Sequence, residues 1–486
     1  MATKSVNIKW TNGKSTFKNV SLSLDEPPDV FKAQIFALTS VPPERQKVML
    51  KGKLVNDGEC WNDSIKALLK DNCTLMLMGS ADEVIEEPNE KVKFLEDMNE
   101  SERAQAFDAP MGLKNLGNTC YLNATIQCLK TIPELDKAIN EYTRDTNSSL
   151  SDETDIVQHM SLLYQNFNMT EEARIPALYI FIAGVHRWQP RFSEKDDHGG
   201  FMQQDANEFY LELLSELRNK VKTPGSESRT YVKKLMAIEL ESTTKCLETD
   251  DEPVKTEKEN ELQLSCFINQ SISHIYSGIK NKMTETIHKR SETLGRDSDF
   301  QKSSLISRLP GYLCVQLVRF SYKQNKGVNA KQLRDVKFPM ELDLYDLCTP
   351  ELQGKLEATR TLLKDEDDRK ALEVKAKKAK GEPMDTWEGS QEVQYEQSGL
   401  PDDPFSSNSA KYELISVLTH QGRNSSSGHY IAWVKKADDY WFKCDDDKIS
   451  AVTNDEILKL SGGGDWHMAY LLFYKTRSPE KVATSN

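Results

Sequence analysis

The chain contains 486 residues with a formal charge of −13 and 38% hydrophobic residues, a composition typical of a folded protein with more than one domain. The acidic balance argues against nucleic acid as a partner, because its phosphates would be repelled. Nine irregularly spaced cysteines, no apolar leader and no run near the ~20 apolar residues of a membrane span predict a reduced protein of the cytoplasm or nucleus without such a span.

Residues 1–80 predict a small α+β domain. Its predicted elements are a β-hairpin, a helix and two further strands, carried by SVNIKW and STFKNVSLSL, VFKAQIFALT, VPPERQKVML and CTLMLM. The stretch VPPERQKVMLKGKL (41–54) resembles ubiquitin, although MGS (78–80) stands where ubiquitin approaches its Gly-Gly terminus. The resemblance implies a built-in ubiquitin-like β-grasp domain that docks onto a partner and is not itself conjugated.

A docking patch is predicted on this first domain. Val48, Met49 and Met78 fall where ubiquitin carries its exposed apolar patch, and methionine side chains suit an adaptable contact surface. The alternative is that the methionines fill the small core of the domain.

A second, larger domain is predicted over residues 106–478, after a charged linker at 81–105 and before a short tail at 479–486. Helix-like stretches come first in it and strand-like stretches follow, which indicates a second α+β unit. An insertion is predicted at 350–409: a charged helical run over 351–382, followed by a segment rich in Pro, Ser, Gly and acidic residues that we expect to be disordered.

The stretch GLKNLGNTCYLNA (112–124) places a cysteine at the predicted start of a helix. Asn118 or Thr119 is suited to cap that helix, so Cys120 lies in its first turn. Free backbone N–H groups and the positive end of the helix dipole favour a thiolate there, which is the form a nucleophile needs. Cys128, deep in the same helix, is interpreted as a core residue.

A histidine and an aspartate are the expected companions of such a thiol. His429 follows Gly428 at the start of the strand HYIAWVKK, which supports an imidazole rigidly at a cleft edge. A carboxylate that orients this imidazole is expected from the end of the next strand, YWFKC. By position alone Asp445, Asp446 and Asp447 are equally good candidates.

The order of the motifs along residues 106–477 resembles the ubiquitin-specific protease family of cysteine peptidases. The motifs are GLKNLGNTCYLNA, QQDANEF, LPGYLCVQLVRF, VKFPMELD, GHYIAWVK, YWFKCDDDKIS and AYLLFY. The resemblance implies a papain-like catalytic domain with fingers, palm and thumb, acting on ubiquitin and polyubiquitinated proteins. It also implies Cys120 as nucleophile, His429 as general base, Asp445 as the residue that orients the histidine, and Asn115 as a donor to the oxyanion.

The same resemblance implies substrate contacts. Asp205 and Glu208 match acidic residues that meet the arginine-bearing tail of ubiquitin, and Tyr430 matches an aromatic residue beside that tail. Packing against its strand is an equally good interpretation of Tyr430.

No cofactor and no metal are predicted. Many family members bind a structural zinc ion through two CxxC pairs in the fingers, but this chain contains no CxxC motif. We therefore expect Cys246 and Cys266 to be structural.

Regulation is expected from two polar loops, 323–332 and 421–428, which can cover the cleft. Ser425, Ser426 and Ser427 in the second loop are candidate modification sites. The resemblance is strongest to a proteasome-associated family member. It implies docking to the 26S proteasome regulatory particle through the ubiquitin-like domain, with low activity until docked. A non-catalytic ubiquitin-binding module and a peptidase for another ubiquitin-like modifier are the alternatives.

Overall fold

The computed structural model describes residues 3–11, 14–55, 60–80, 109–142, 154–223, 226–323, 328–380, 399–424, 427–437, 439–464 and 466–481. The chain divides into two compact units, Met1–Phe94 and Leu95–Asn486. The division falls within the charged linker predicted for 81–105, which lies outside the described residues.

The first unit has the predicted β-grasp arrangement. Its elements are β1 (Thr3–Trp10), β2 (Ser15–Ser23), α1 (Pro28–Thr39), β3 (Lys47–Leu50), β4 (Lys53–Leu54), α2 (Asp63–Lys66) and β5 (Thr74–Met78). Within the described residues the sheet order is β2-β1-β5-β3-β4, with β1 and β5 parallel. Helix α1 covers one face of this sheet, where Phe31 and Ile35 pack into the core.

The other face of this sheet carries exposed methionines. Because side chains alternate along a strand, Leu75 and Leu77 of β5 point into the core, whereas Met76 and Met78 are 45% and 41% exposed. The same alternation buries Val48 completely, at 0% exposure. The predicted docking patch was therefore wrong for Val48, which is a core residue.

The second unit begins with helices and continues mainly with strands. Its helices are α3 (Cys120–Leu129), α4 (Pro133–Asn140), α5 (Ile156–Gln165), α6 (Glu171–Trp188), α7 (Ala206–Lys220), α8 (Tyr231–Met236), α9 (Ile275–Lys282), α10 (Pro350–Lys380) and α11 (Asn454–Leu458). None of the described helices has the length and apolar character needed to cross a membrane.

The strands of this unit form a long mixed sheet, a separate antiparallel sheet and two hairpins. They are β6 (Lys222–Thr223), β7 (Ser226–Thr230), β8 (Ile238–Cys246), β9 (Lys255–Glu261), β10 (Leu264–Phe267), β11 (Thr284–Arg290), β12 (Asp297–Arg308), β13 (Tyr312–Val318), β14 (Phe320–Lys323), β15 (Val328–Lys331), β16 (Glu341–Asp343), β17 (Lys411–Asn424), β18 (Ser427–Ala437), β19 (Tyr440–Asp445), β20 (Lys448–Val452) and β21 (Met468–Thr476). Within the described residues the long sheet runs β10-β13-β21-β17-β18-β19-β20, with β16 beside β17, and the separate sheet runs β11-β12-β8-β9. The hairpins are β6-β7 and β14-β15.

The long sheet lies between two apolar cores. On one face α3 packs against β18, and its core residues continue into α7 through the edge-to-face contact of Tyr121 with Phe209, whose ring centroids are 5.4 Å apart. On the other face Trp433 and Trp441 pack in the second core. The sheet therefore holds α3 and the ends of β18 and β19 in a fixed relation, which positions the site described below.

Part of the predicted insertion is ordered. Helix α10 occupies its first half, and Arg477 pairs with Asp367 on that helix. Residues 383–398 lie outside the described residues. The prediction of disorder was wrong for 399–409, because Ser407 is fully buried and its hydroxyl lies 2.7 Å from that of Thr476.

Candidate active site

A sharp turn delivers Cys120 to the first position of α3. Gly117 and Asn118 take positive φ angles of 106° and 52°, which reverse the chain just before the helix. Thr119 occupies the cap position, but its hydroxyl accepts a hydrogen bond from the N–H of Leu116, at 3.0 Å, and makes no capping bond to the helix. The Cys120 side chain is 2% exposed and lies at the positive end of the helix dipole.

His429 lies near the start of β18, where β17 and β18 approach closely. It pairs with Gln421 across the two strands. Gly428, just before it, has a φ of 130°, and a Cβ there would lie 2.1 Å from the carbonyl oxygen of Gln421. Only glycine permits this approach, so Gly428 sets the position from which the imidazole projects.

The structure brings His429 together with Cys120 and Asp445. The imidazole Nε2 lies 2.6 Å from Asp445 Oδ1, and Lys443 Nζ lies 3.2 Å from the other carboxylate oxygen. The hydrogen bond with the Cys120 thiol raises the pKa of His429 to about 9; burial opposes this and Asp445 supports it. For Asp445 burial raises the pKa, but the hydrogen bonds from His429 and Lys443 outweigh burial and leave the pKa of this carboxyl below its usual value.

The three adjacent aspartates have different surroundings. Asp445 bonds the imidazole, whereas Asp446, with a φ of 55°, turns back toward α3. Its two carboxylate oxygens accept hydrogen bonds from Asn115 Nδ2, at 3.0 Å, and Asn123 Nδ2, at 2.9 Å. Asp447 is exposed. Asp446 is therefore a site residue for which sequence reasoning assigned no contact.

The segment that carries Asn115 lies directly against the turn between β19 and β20. The N–H of Leu113 donates to the carbonyl of Asp446 at 2.9 Å. A Cβ at Gly112 would lie 2.4 Å from the carbonyl oxygen of Asp447, so this position also requires glycine. The close packing places Asn115 beside the aspartates that follow β19.

Gln203 is a second residue that sequence reasoning missed. Its buried side chain places Nε2 3.9 Å from Cys120 Sγ, where the amide donates a weak hydrogen bond to sulfur. Gln203 opens the QQDANEF motif, in which only Asp205 and Glu208 were assigned roles. An amide at the start of a motif already linked to the site was the available signal.

Comparison with known proteins gives one consistent family. The ubiquitin carboxyl-terminal hydrolase family matches residues 111–474. Ubiquitin carboxyl-terminal hydrolase 6 of Arabidopsis thaliana is 38% identical over 485 residues, which cover 97% of this chain and 98% of that protein. Ubiquitin carboxyl-terminal hydrolase 14 of Caenorhabditis elegans is 37% identical over 481 residues, which cover 97% of this chain and 93% of that protein. The chain belongs to the ubiquitin carboxyl-terminal hydrolase family. This hydrolase is a thiol-dependent deubiquitinase.

A solved structure agrees with the fold of the hydrolase. The SAGA Ubp8/Sgf11/Sus1/Sgf73 DUB module bound to ubiquitin aldehyde aligns with a TM-score of 0.51 at 21% sequence identity, covering 76% of this chain and 69% of that chain. The predicted α+β, papain-like catalytic fold is therefore confirmed.

The two acidic residues predicted to bind the ubiquitin tail already have partners in the hydrolase. Asp205 caps α7 through the N–H groups of Asn207 and Glu208 and accepts a hydrogen bond from the Tyr470 hydroxyl at 2.9 Å. Burial raises its pKa, and these hydrogen bonds counteract part of that effect. Glu208 is exposed and pairs with Arg191. Their role in substrate binding stays a prediction.

The structure favours the packing interpretation of Tyr430. Its side chain is 1% exposed, and its ring lies 4.6 Å from the ring of His420 and 6.4 Å from that of Tyr470, centroid to centroid. Contact of Tyr430 with the substrate tail stays a prediction.

The two cysteines predicted to be structural, Cys246 and Cys266, lie in different sheets. Cys246 is buried at the end of β8 beside Ser298, and Cys266 lies in the long sheet beneath Gly278. Among the described residues, these two cysteines belong to no common cluster of possible ligands. His429, Asp445 and Asp446 lie close enough together to hold a cation, but the hydrogen bonds already described account for their proximity.

The two predicted covering loops are described in part. Residues 323 and 328–331 of the first loop belong to the strands β14 and β15, and residues 324–327 lie outside the described residues. Lys331 Nζ donates to the carbonyl of His420 at 2.6 Å. Ser425 and Ser426 lie outside the described residues. A gating role for either loop stays a prediction.

Proposed function

We propose that the deubiquitinase cleaves the bond after the last glycine of ubiquitin with Cys120 as nucleophile, His429 as general base and acid, and Asp445 as the orienting carboxylate. The observation that carries this proposal is the hydrogen-bonded series from the first turn of α3 through the imidazole to the end of β19. A protonated imidazole beside a thiol at a helix N-terminus favours the thiolate–imidazolium pair.

The reaction that follows is acyl transfer in two steps. Cys120 Sγ attacks the carbonyl carbon of ubiquitin's last glycine, and His429 gives its proton to the leaving lysine amine, so the isopeptide bond breaks as the thioester forms. Water then attacks the thioester, His429 takes its proton, and the thiol and the ubiquitin carboxylate are released.

Asn115 is suited to stabilise the oxyanion of both steps. Its Oδ1 accepts hydrogen bonds from the N–H groups of Gly117 and Thr119, at 3.0 and 3.2 Å, which fixes the plane of the amide. One hydrogen of Nδ2 is donated to Asp446. An amide nitrogen carries two hydrogens, so the second is available for an oxyanion.

Substrate recognition is proposed to use exposed Glu208 and neighbouring Glu212. Both carboxylates pair with Arg191 at the surface. Two carboxylates face the single guanidinium of half-buried Arg191, so this surface keeps negative charge that can attract an arginine of the ubiquitin tail.

The N-terminal unit is proposed to dock on the proteasome regulatory particle, so that ubiquitin is removed in the cytoplasm or nucleus from proteins held there. Half-buried Met49 and exposed Met76 and Met78 lie on one face of the sheet, because Met49 pairs with Met76 across β3 and β5. This methionine face supports docking, since flexible thioether side chains adapt to a partner surface.

The proposal is tested with ubiquitin that carries an electrophile at its C-terminus, with and without proteasomes. We expect an adduct on Cys120, formed faster with proteasomes. No adduct under either condition would contradict the catalytic roles, while equal rates would remove only the activation by docking.

Docking itself is tested with the double variant Met76→Ser, Met78→Ser. Proteasome affinity should fall at least about tenfold, as expected for losing ~1.4 kcal/mol or more of apolar contact. Phe36→Ser is the matched control, because Phe36 is 45% exposed on α1, away from the methionine face. Equal loss in both variants would contradict the assignment of that face.

A further inference from the structure

A second histidine, His467, lies against the proposed catalytic imidazole. Its ring centroid is 6.1 Å from that of His429, and the two planes meet at 68°. His467 comes just before β21, in a different segment from Cys120, His429 and Asp445. It therefore contacts the His429 imidazole from a segment of the chain that carries none of the three proposed catalytic residues.

Buried groups hold His467 in place. Its side chain is 6% exposed, and its Nδ1 lies 3.5 Å from the hydroxyl of Thr419. That hydroxyl accepts a hydrogen bond from Trp433 Nε1 at 2.9 Å and lies 3.3 Å from the carbonyl of Ile431. Trp466 covers the outer side of the imidazole, with ring centroids 5.8 Å apart. The His467 imidazole is therefore held by contacts with buried residues of the long sheet.

We propose that His467 is a positioning residue for the reaction: its ring packs against the His429 imidazole and holds the protonated form in line with Cys120 and Asp445. The inference rests on the roles proposed above for those residues. In-plane hydrogen bonds to the thiol and the carboxylate direct the two nitrogens, and a neighbouring ring limits tilting out of that plane. Misplacement of a reacting group by about 1 Å can reduce a rate by roughly 100-fold.

The charge state of His467 suits this role. Burial is the main cause that lowers its pKa to about 4; the charges of His429, Lys443 and Lys331 act in the same direction and Asp445 opposes them. His467 is therefore neutral where His429 is protonated. A neutral aromatic ring beside a cation is favourable, whereas a second cation would repel it. The titratable groups around His429 are Cys120, Asp445 and Asp446, together with the neighbouring imidazoles of His467 and His420.

The test compares His467→Ala with His467→Phe in the full chain, using ubiquitin with a fluorogenic amide at its C-terminus. For His467→Ala we expect kcat to fall by about 10- to 100-fold with KM unchanged. The alkaline limit of the pH–rate profile should move from near 9 toward the ordinary histidine value of about 6.5, because the imidazolium loses its alignment with thiol and carboxylate. His467→Phe keeps a ring in place and should retain both the rate and the limit.

Controls separate this role from folding and from the proposed catalysis. His274→Ala removes an exposed histidine before α9 and should change nothing. Thermal unfolding identifies any variant that fails to fold, and His467→Gln then replaces His467→Ala as the ringless variant. A ringless variant that keeps the wild-type limit overturns the inference, as does His467→Phe with the loss seen in His467→Ala. Full activity in His429→Gln would instead overturn the catalytic roles.

Discussion

The two ends of helix α3 carry the same side chain in opposite circumstances. Cys120, in the first turn, contacts His429 and Gln203. Cys128, in the last turns, is fully buried; burial raises its pKa far above the ordinary value, against a hydrogen bond with Ser416 and with a smaller contribution from Cys314. The same residue type therefore has different surroundings at the two positions, which supports the proposal that Cys120 and not Cys128 is the nucleophile.

Replacing each cysteine in turn gives the largest expected contrast. Cys120→Ala should lower kcat by about 10⁴-fold or more, the scale of losing a nucleophile from a catalytic set. Cys128→Ala should keep the rate and lower the free energy of unfolding by about 1 kcal/mol, since it removes one small buried group. Hydrolysis of a fluorogenic ubiquitin substrate and denaturant unfolding measure the two effects. A loss of activity in Cys128→Ala without a loss of stability would contradict the assignment of Cys128 as a core residue.

The pH dependence of labelling should separate the same two thiols. A histidine whose pKa rises on folding, here from ~6.5 to about 9, contributes stability fully below the lower value and loses that contribution as pH rises through the upper one. The imidazolium beside Cys120 disappears over the same window. We therefore expect ubiquitin–electrophile labelling at Cys120 to fall above about pH 9.

His429→Gln is the variant that checks this assignment, because it replaces the titrating imidazole with a neutral amide. Labelling of Cys120 should become slow, because the thiol has lost its imidazolium partner, and it should no longer decline above pH 9. A decline above pH 9 that survives His429→Gln would show that another group controls the thiol.

Much of this contrast was predictable, because the signals are local and periodic. The turn residues before Cys120 and the apolar spacing after it indicate the helix start. The strands β17, β18 and β21 show apolar–polar alternation or apolar runs rich in β-branched and aromatic residues, which favour strands over helices. The family motifs supplied the pairing of Cys120 with His429, which no local pattern contains.

The errors have physical reasons as well. Val48 lies in a run of consecutive apolar residues, where only strand pairing decides which side chains face inward. Strand β9, with the sequence KTEKENE, is exposed on most of its length and gives no alternation to detect. Asp446 contacts Asn115 across 331 residues of sequence, through a left-handed turn that no local pattern announces.

The smallest expected effect concerns the aspartates after β19. Asp446→Ala removes the acceptor that orients Asn115, so kcat should fall by roughly 10- to 100-fold, less than the ~10²–10³ that follows when an oxyanion donor is itself removed. The exposed neighbour Asp447→Ala is the matched control and should leave the rate unchanged. Cys120 and its imidazole are intact in Asp446→Ala, so single-turnover formation of the thioester should slow. The alkaline limit of labelling should move only slightly below pH 9, because the charge of Asp446 is the smallest of the contributions that raise the pKa of His429. A slower reaction that is fully explained by a large shift of that limit would show that Asp446 acts through His429, and it would contradict the role proposed for Asn115.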